Sequence, residues 1–479
     1  MLFWIFNHTA MTWIYDAIFI IYICTLLSIL VFVVSENRNP VKSLSWVTVL
    51  LLLPVVGIIL YLIFGRNIRN TKKLSRRLRR LLKKCDPDIN FSLEELNLSN
   101  EAIQQIRLGN SLAGAHFFPG NKVDVFTCGN DMFNRFVEDL QNAGKYINIE
   151  YYIFNDDTIG TKIADILIQK AKNGLPVRVI YDYIGSIDTK NKFFNRLRQA
   201  GVEIYPFYKV HFPWIGSPIN WRNHRKLCVI DGNVGYLGGM NIADRYIDGG
   251  KEFRRWRDTH VRVEGPIISA MENSFAYDWH FMDKPLIIDP VDTRIKGDVG
   301  AQLVTSGPTG QWPNMAYMLH RAICNANRRV FLQTPYFLPT DPLLKALITA
   351  SLSGVDVRVM LPRRCDSAIL NYASFSFIGE CLQAGIKVYF YEPGMLHAKM
   401  IVVDDDISTI GSTNFDFRSF EHNFEANLFF YSKEFNARCT EIFTKDLEDC
   451  SRVYADEWKR RPLKSRILEC IFRLISPIL

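Results

Sequence analysis

HRKLCVIDGNVGYLGGMN occupies residues 224–241, and HAKMIVVDDDISTIGSTN occupies residues 397–414. Both read His-x-Lys, four residues, Asp, six residues, Gly-Gly/Ser-x-Asn. The same polar phrase twice in one chain raises the question of whether the surrounding sequence is also repeated. Upstream of the first phrase, YINIEYYIF (146–154) reads as a strand and 159–173 as a helix. Gly174 then precedes a strand at PVRVIYD, and a helix near 190–200 ends at Gly201 before VEIYPF. His224 opens the strand KLCVI, and the turn DGN leads into VGYLGG. From residue 329 the order recurs: strand RVFLQTPYFL, helix 341–353, Gly354, strand VDVRVMLP, helix 374–384, Gly385, strand IKVYFY, then His397 and KMIVV. An identical sequence of elements at both places points to one α/β unit used twice. The seam falls near 282–300 (MDKPLIIDPVDTRIKGDVG), where Pro, Asp and Gly accumulate.

The chain has 479 residues, too many for one compact core. Its net charge of +8 is not spread evenly. Residues 1–110 carry 13 Lys and Arg against 7 Asp and Glu, and residues 458–479 carry 6 against 1, leaving the long middle slightly acidic. A nucleic-acid enzyme needs a basic track along its binding surface, and this middle offers none. The ten cysteines include no Cys-x-x-Cys pair and no zinc-ligand spacing. A metal-free, cofactor-free protein is the expectation.

The ends read differently. AIFIIYICTLLSILVFVV (17–34) and SLSWVTVLLLLPVVGIILYLIF (43–64) contain no charged residue. Each can cross a hydrocarbon core of about 30 Å at about 1.5 Å per residue. The first lacks the basic start and small-residue exit of a cleaved signal peptide. The pair is expected to be a transmembrane hairpin within 1–65, with helices over about 12–34 and 43–64. Ten basic residues and no acid follow in 66–84, which places that side in the cytoplasm and against anionic headgroups. The expected layout is a basic juxtamembrane linker over 66–110, polar around 86–110, a first half over 111–285 and a second over 286–457. A basic amphipathic tail at 458–479 either lies in the membrane interface or packs as a terminal helix.

In a strand, residues two apart share a face, so His224 and Lys226 address one point, as do His397 and Lys399. Alternation in KLCVI and MIVV suggests half-buried strands. Lys donors beside the Gly-rich turns with their Asn and Ser make an anion site suited to phosphate. One His-Lys pair can be a satisfied structural cluster, but two at matched spacing are hard to explain that way. If the halves face each other, one phosphorus lies between two histidines. In-line displacement requires a nucleophile on one side and an acid on the other, and imidazole can serve as either. The chemistry that follows is double displacement through a phosphohistidine.

The paired phrases resemble the signature of the phospholipase D superfamily, and the chain as a whole is similar to bacterial cardiolipin synthases. The likeness extends to the hairpin, WRDTHVRVEGP at 256–266, LQTPYFLPTDPLLKALITASLSGVDVRVMLP at 332–362 and GSTNFDFRSFEHNFEANLFFY at 411–431. It implies a duplicated phospholipase D-like α/β domain, two halves forming one active site, behind the hairpin. It makes His224 the nucleophile and His397 the acid/base, with Lys226, Lys399, Asn241 and Asn414 as phosphate ligands and Ser412 assisting. Gly239 stands where the second copy has Ser412, so the halves are not equivalent. A downstream carboxylate orients each histidine through its other ring nitrogen; Glu425 fits that place in the second copy and Asp258, rather than Glu252, in the first. Asp231 and Asp404 complete the motifs, more as structural partners than in proton transfer, as an Asp-Gly turn already suggests for Asp231.

The resemblance implies a multi-pass enzyme of the bacterial cell membrane with a cytoplasmic catalytic part. It would condense two phosphatidylglycerol molecules into cardiolipin and glycerol. Rival readings share the chemistry: a phospholipase D using water or another alcohol, or a phosphodiesterase cutting nucleic acid. A lipid-binding scaffold with inactive motifs fits poorly with both His-Lys-Asn sets being intact.

Overall fold

A computed structural model of the chain describes residues 98–210, 220–284, 286, 291 and 294–476, together with helical residues within 13–31 and 46–61. The basic run 66–84, the turn of the expected hairpin and seven residues of the expected seam (285, 287–290, 292 and 293) lie outside the described residues.

The first half supplies β1 (Phe117–Phe126), β2 (Ile147–Tyr151), β3 (Val177–Asp182), β4 (Glu203–Phe207), β5 (Lys226–Ile230), β6 (Val234–Gly238), β7 (Trp256–Arg257) and β8 (His260–Glu264). The second supplies β9 (Val299–Ser306), β10 (Arg329–Gln333), β11 (Phe337–Leu338), β12 (Asp356–Pro362), β13 (Lys387–Tyr391), β14 (Met395–Leu396), β15 (Met400–Val403), β16 (Ile407–Gly411), β17 (Phe415–Asp416), β18 (Glu425–Tyr431) and β19 (Cys450–Arg452). Fifteen of these form one sheet, ordered β19-β13-β12-β10-β15-β16-β18-β9-β1-β8-β6-β5-β2-β3-β4. Outward from the antiparallel β9–β1 pair, each half repeats the same order, β9-β18-β16-β15-β10-β12-β13 against β1-β8-β6-β5-β2-β3-β4. The duplication read from the sequence is therefore a duplication of topology.

The β2-β3-β4 and β10-β12-β13 sets are parallel and joined by helices, as βαβ units require. Thr158–Lys172 shows why the helices start where they do: the Asp157 side chain accepts from Gly160 N at 3.1 Å and satisfies an open N–H of the first turn. Asn191–Gln199, Asp341–Leu352, Ala368–Phe375 and Ile378–Gln383 complete these units. One face of the sheet is a core shared by both halves, in which Leu227, Val229 and Leu237 join Met400, Ile410 and Leu428 beneath the helices Ile268–Phe281 and Lys433–Leu447. On the other face each half keeps its own core. The motif strands are thus covered on both sides, and every residue of β5 and β15 is buried. The expectation of half-buried strands fails because KLCVI sends Leu227 and Val229 to the shared core and Cys228 and Ile230 to the other.

The stretch expected to be polar linker contains a helix at Asn100–Ala113, capped by Ser99 at one end and by Gly114 (φ 62°) at the other. Ala102 and Ile106 join the second-half core, and the Gln302 amide donates to Ile106 O at 3.0 Å. Ala102 and Ile106, with Leu108, Leu112 and Ala113 partly buried on the same core, hold this helix to the body, a signal too interrupted by polar residues to separate from linker sequence. The C-terminal tail also forms a helix, Leu463–Ile475.

The described N-terminal residues belong to a separate unit. Within it Leu50 and Tyr61 are buried against Leu26, Ile29, Trp46, Val47 and Ile58, while Phe19, Ile20, Ile21, Leu52 and Val56 are exposed. Among the described residues no helix is long and apolar enough to cross a membrane.

Candidate active site

His224 precedes β5, which runs antiparallel to β2 with Lys226 opposite Tyr151. His397 precedes β15, where Met400 lies opposite Gln333 of β10. Both histidines therefore stand at the C-terminal ends of parallel strands, where α/β folds place their sites. Backbone bonds knit the halves together there. His224 N donates to Phe424 O and Phe424 N to Arg222 O, each at 2.9 Å, while His397 N donates to Arg257 O at 2.6 Å. The short β14–β7 pair adds a parallel contact beside the second histidine.

Each imidazole meets a carboxylate from the opposite half. His224 Nδ1 lies 2.9 and 3.1 Å from the two oxygens of Glu425, and His397 Nδ1 lies 2.6 Å from Asp258 Oδ2. The two carboxylates singled out from the sequence are thus in the site, but the pairing crosses between copies instead of staying within one. A carboxylate on Nδ1 fixes that proton and leaves Nε2 as the reactive nitrogen. Glu252 is exposed.

The supports of the two carboxylates differ, which accounts for Gly239 and Ser412. Ser412 Oγ donates to Glu425 and accepts from Ala426 N at 3.0 Å. In the first half, a Cβ on residue 239 would lie 2.0 Å from Asp258 Oδ1, so only glycine lets that carboxylate sit where it does. Thr259 N donates to Asp258 at 2.7 Å.

Lys226 Nζ donates to His224 O at 2.7 Å, and Lys399 Nζ donates to His397 O and lies 2.9 Å from His397 Nδ1. Burial, with the charges of Lys226 and Lys399, holds His224 down to about 4 despite the opposing pull of Glu425. Burial and Lys399 bring His397 to about 4 against Asp258. Burial lowers Lys226 to about 7 and Lys399 to about 8. Burial alone would raise Glu425 and Asp258, yet the facing histidines and lysines hold both below the usual carboxylate range. Lys399 acts on His224 and Glu425 acts on Lys226 across the halves, so both motifs form one electrostatic site. At rest it combines neutral imidazoles, ionised carboxylates and lysine cations, an arrangement that accepts a phosphodiester anion.

The remaining motif residues are occupied otherwise. Asn241 Oδ1 accepts from Ile153 N at 3.0 Å, and its amide donates to the Tyr246 hydroxyl; the Tyr246 ring lies edge-on to His397 at 5.7 Å. Asn414 N donates to Ser419 Oγ at 3.2 Å, and its side chain bonds to Asp416. Asp231 accepts from the backbone N–H groups of Gly144, Lys145 and Tyr146, and Asp404 from those of Asn327, Arg328 and Arg329. Both aspartates sit at the far ends of the motif strands with φ of 57° and 48°. The structure thus keeps Asp231 and Asp404 out of the chemical centre.

Residues 136–279 and 319–447 match the family described as cardiolipin synthase, PLD-like domain, which covers more than half of the chain. The chain belongs to the cardiolipin synthase family. Residues 18–66 separately match the phospholipase D-nuclease N-terminal family. Among curated relatives of the family, the major cardiolipin synthase of Bacillus subtilis is 39% identical, with 96% of this chain and 98% of that one covered. Cardiolipin synthase 2 of Bacillus cereus is 39% identical over 93% of this chain and 88% of that one. Among solved structures, phosphatidylserine synthase of Haemophilus influenzae superposes with a TM-score of 0.63 at 14% identity, covering 79% of this chain and all of that one. That likeness shows that this family member shares the fold.

Sequence reading missed a buried network behind His224. Asn223 N donates to Asp182 at 3.0 Å, and its side chain donates to Glu150. Arg225 pairs with Asp278 and donates to Glu425 O at 3.2 Å. Burial, and then Asp278 beside it, raise Glu150 well above the ordinary carboxyl value. The second copy has Ala398 at the place of Arg225, so the repeat carried no signal for this network. Tyr152, whose ring lies edge-on to His224 at 5.0 Å, was equally silent within an apolar strand.

Proposed function

We propose that the chain makes cardiolipin from two phosphatidylglycerol molecules by double displacement, with His224 as nucleophile. Lys226 and Lys399 hold the phosphodiester anion, whose charge raises the affinity of His397 for a proton. His224 Nε2 attacks phosphorus while the P–O bond to glycerol breaks, and His397 delivers its proton to the departing oxygen. The hydroxyl of a second phosphatidylglycerol then gives its proton to His397 as it attacks phosphorus. The P–N bond breaks and His224 returns to its starting state. Glu425 and Asp258 stabilise each imidazolium as it forms.

The observation that carries this reading is the crossed pair of histidine–carboxylate contacts, which supports one phosphorus lying between a nucleophile and an acid. The family membership supplies the lipid substrate. The N-terminal apolar stretches are read as a membrane hairpin with the catalytic part cytoplasmic, on the charge-free segments and the match over 18–66.

The test is purified protein in detergent micelles with labelled phosphatidylglycerol as the sole lipid. Cardiolipin and free glycerol are expected, and His224→Ala and His397→Ala should each lower the rate by at least about ten-thousandfold. Phosphatidic acid as the main product would instead mean that water is the acceptor.

A further inference from the structure

A lipid substrate stays in its bilayer, so the catalytic body has to meet that surface, and the last helix of the chain has a face suited to it. One side of Leu463–Ile475 is committed to the body. Phe472 stacks on Tyr372 at 5.9 Å, and Arg473 pairs with Glu380 at 2.6 Å and donates to Ser376 O at 3.2 Å. Glu469, the one acid beyond residue 458, is buried and paired with Arg461. Among the described residues, the other side is left largely uncovered. Leu463, Ile467, Ile471 and Leu474 are 68%, 50%, 50% and 82% exposed, and their spacing makes a single stripe along the helix. Lys459, Arg460, Lys464 and Arg466 are exposed beside it.

We infer that Leu463–Ile475 is an interfacial helix that beds this stripe among the acyl chains of an anionic bilayer, with the neighbouring cations on headgroup phosphates. Charge chooses the bilayer over a second copy of the chain: two such faces would bring Lys464 and Arg466 of both copies together, and Glu469, the one acid within this helix, is buried and paired. Four apolar side chains between basic residues are the composition of a helix lying in a membrane surface. Placement gives the contact a purpose. The helix packs on Ala368–Phe375, which begins two residues beyond Asp366, and the charge of Asp366 reaches both His397 and Lys399. Ile369 on that helix is itself 43% exposed. Docking the tail would bring this rim of the active site to the lipid. The inference rests on the lipid substrate proposed above.

The experiment uses the full chain in vesicles of phosphatidylcholine with phosphatidylglycerol, with photoreactive benzoylphenylalanine in place of Ile467. Alongside it, Leu463, Ile467, Ile471 and Leu474 are changed together to Gln. Illumination is expected to give a phospholipid adduct at residue 467. The four-site variant should show an apparent KM for vesicle lipid raised about tenfold, with its rate in micelles unchanged. A cross-link to the same helix of another copy would overturn the inference, as would the absence of a lipid adduct with vesicle KM unaltered. The adduct is read independently of turnover, so a wild type that cross-links to lipid yet forms no cardiolipin in micelles would sink the proposed activity and still support docking.

Discussion

Gly239 and Ser412 are the residues at which the two copies part company, and each is tied to the length of its carboxylate. Ser412 holds the longer Glu425, and the missing Cβ at 239 makes room for Asp258. Making the halves more alike should therefore be harmful. Gly239→Ser would displace Asp258 from His397, and a fall in kcat of roughly a hundredfold or more is expected, with KM less affected. Steady-state kinetics on folded protein decide it, and an active variant would mean that the Asp258 contact is dispensable. The pH profile follows from the same groups. With His224 at about 4, the nucleophile stays unprotonated across the neutral range, and its own protonation lowers kcat/KM only as pH drops toward 4. His397, also at about 4, must take up a proton as substrate binds, which makes kcat/KM decline gradually above that pH. Above pH 7 to 8 Lys226 and then Lys399 lose the charges that hold the phosphodiester, so kcat/KM should fall again. A profile still rising at pH 9 would be incompatible with lysine cations as the anion site.

The motif strands carry chemistry at one end and anchorage at the other. Asp404 closes the far end of β15 by taking three backbone N–H groups at 2.8 to 3.0 Å. Asp404→Ala should cost about 1–3 kcal/mol of stability, visible as a lower unfolding temperature, while kcat per folded molecule stays near that of the wild type. A loss of kcat without loss of stability would return Asp404 to the chemistry. Elements of this kind were legible in the sequence because their spacing repeats: strand order, the turns at Gly174 and Gly354, and the aspartate at the end of each motif all appear twice. What repeats only in space was not legible. The crossing of Glu425 to His224 and of Asp258 to His397 depends on how the halves meet, and nothing local to either copy encodes it. The helix Asn100–Ala113 escaped for a different reason, since its hold on the body rests on small contacts within a polar composition.

Across the whole molecule, the β9–β1 pair joins the copies into one sheet, and the shared core beneath the helices Ile268–Phe281 and Lys433–Leu447 welds them. One half alone supplies a histidine without its carboxylate and a phosphate site with a single lysine, so activity belongs to the pair. That dependence was readable from the sequence as a consequence of chemistry, because in-line displacement needs groups on both sides of phosphorus. The order of events between the two histidines was not readable from motifs that are nearly identical. The most direct measurement is to quench the enzyme with alkali, in which phosphohistidine survives, during turnover of labelled phosphatidylglycerol, and to map the labelled peptide by mass spectrometry. A phosphatidyl adduct on His224, formed and consumed at rates compatible with turnover, is the predicted result. An adduct confined to His397, or cardiolipin formed with no histidine adduct at any time, would contradict it.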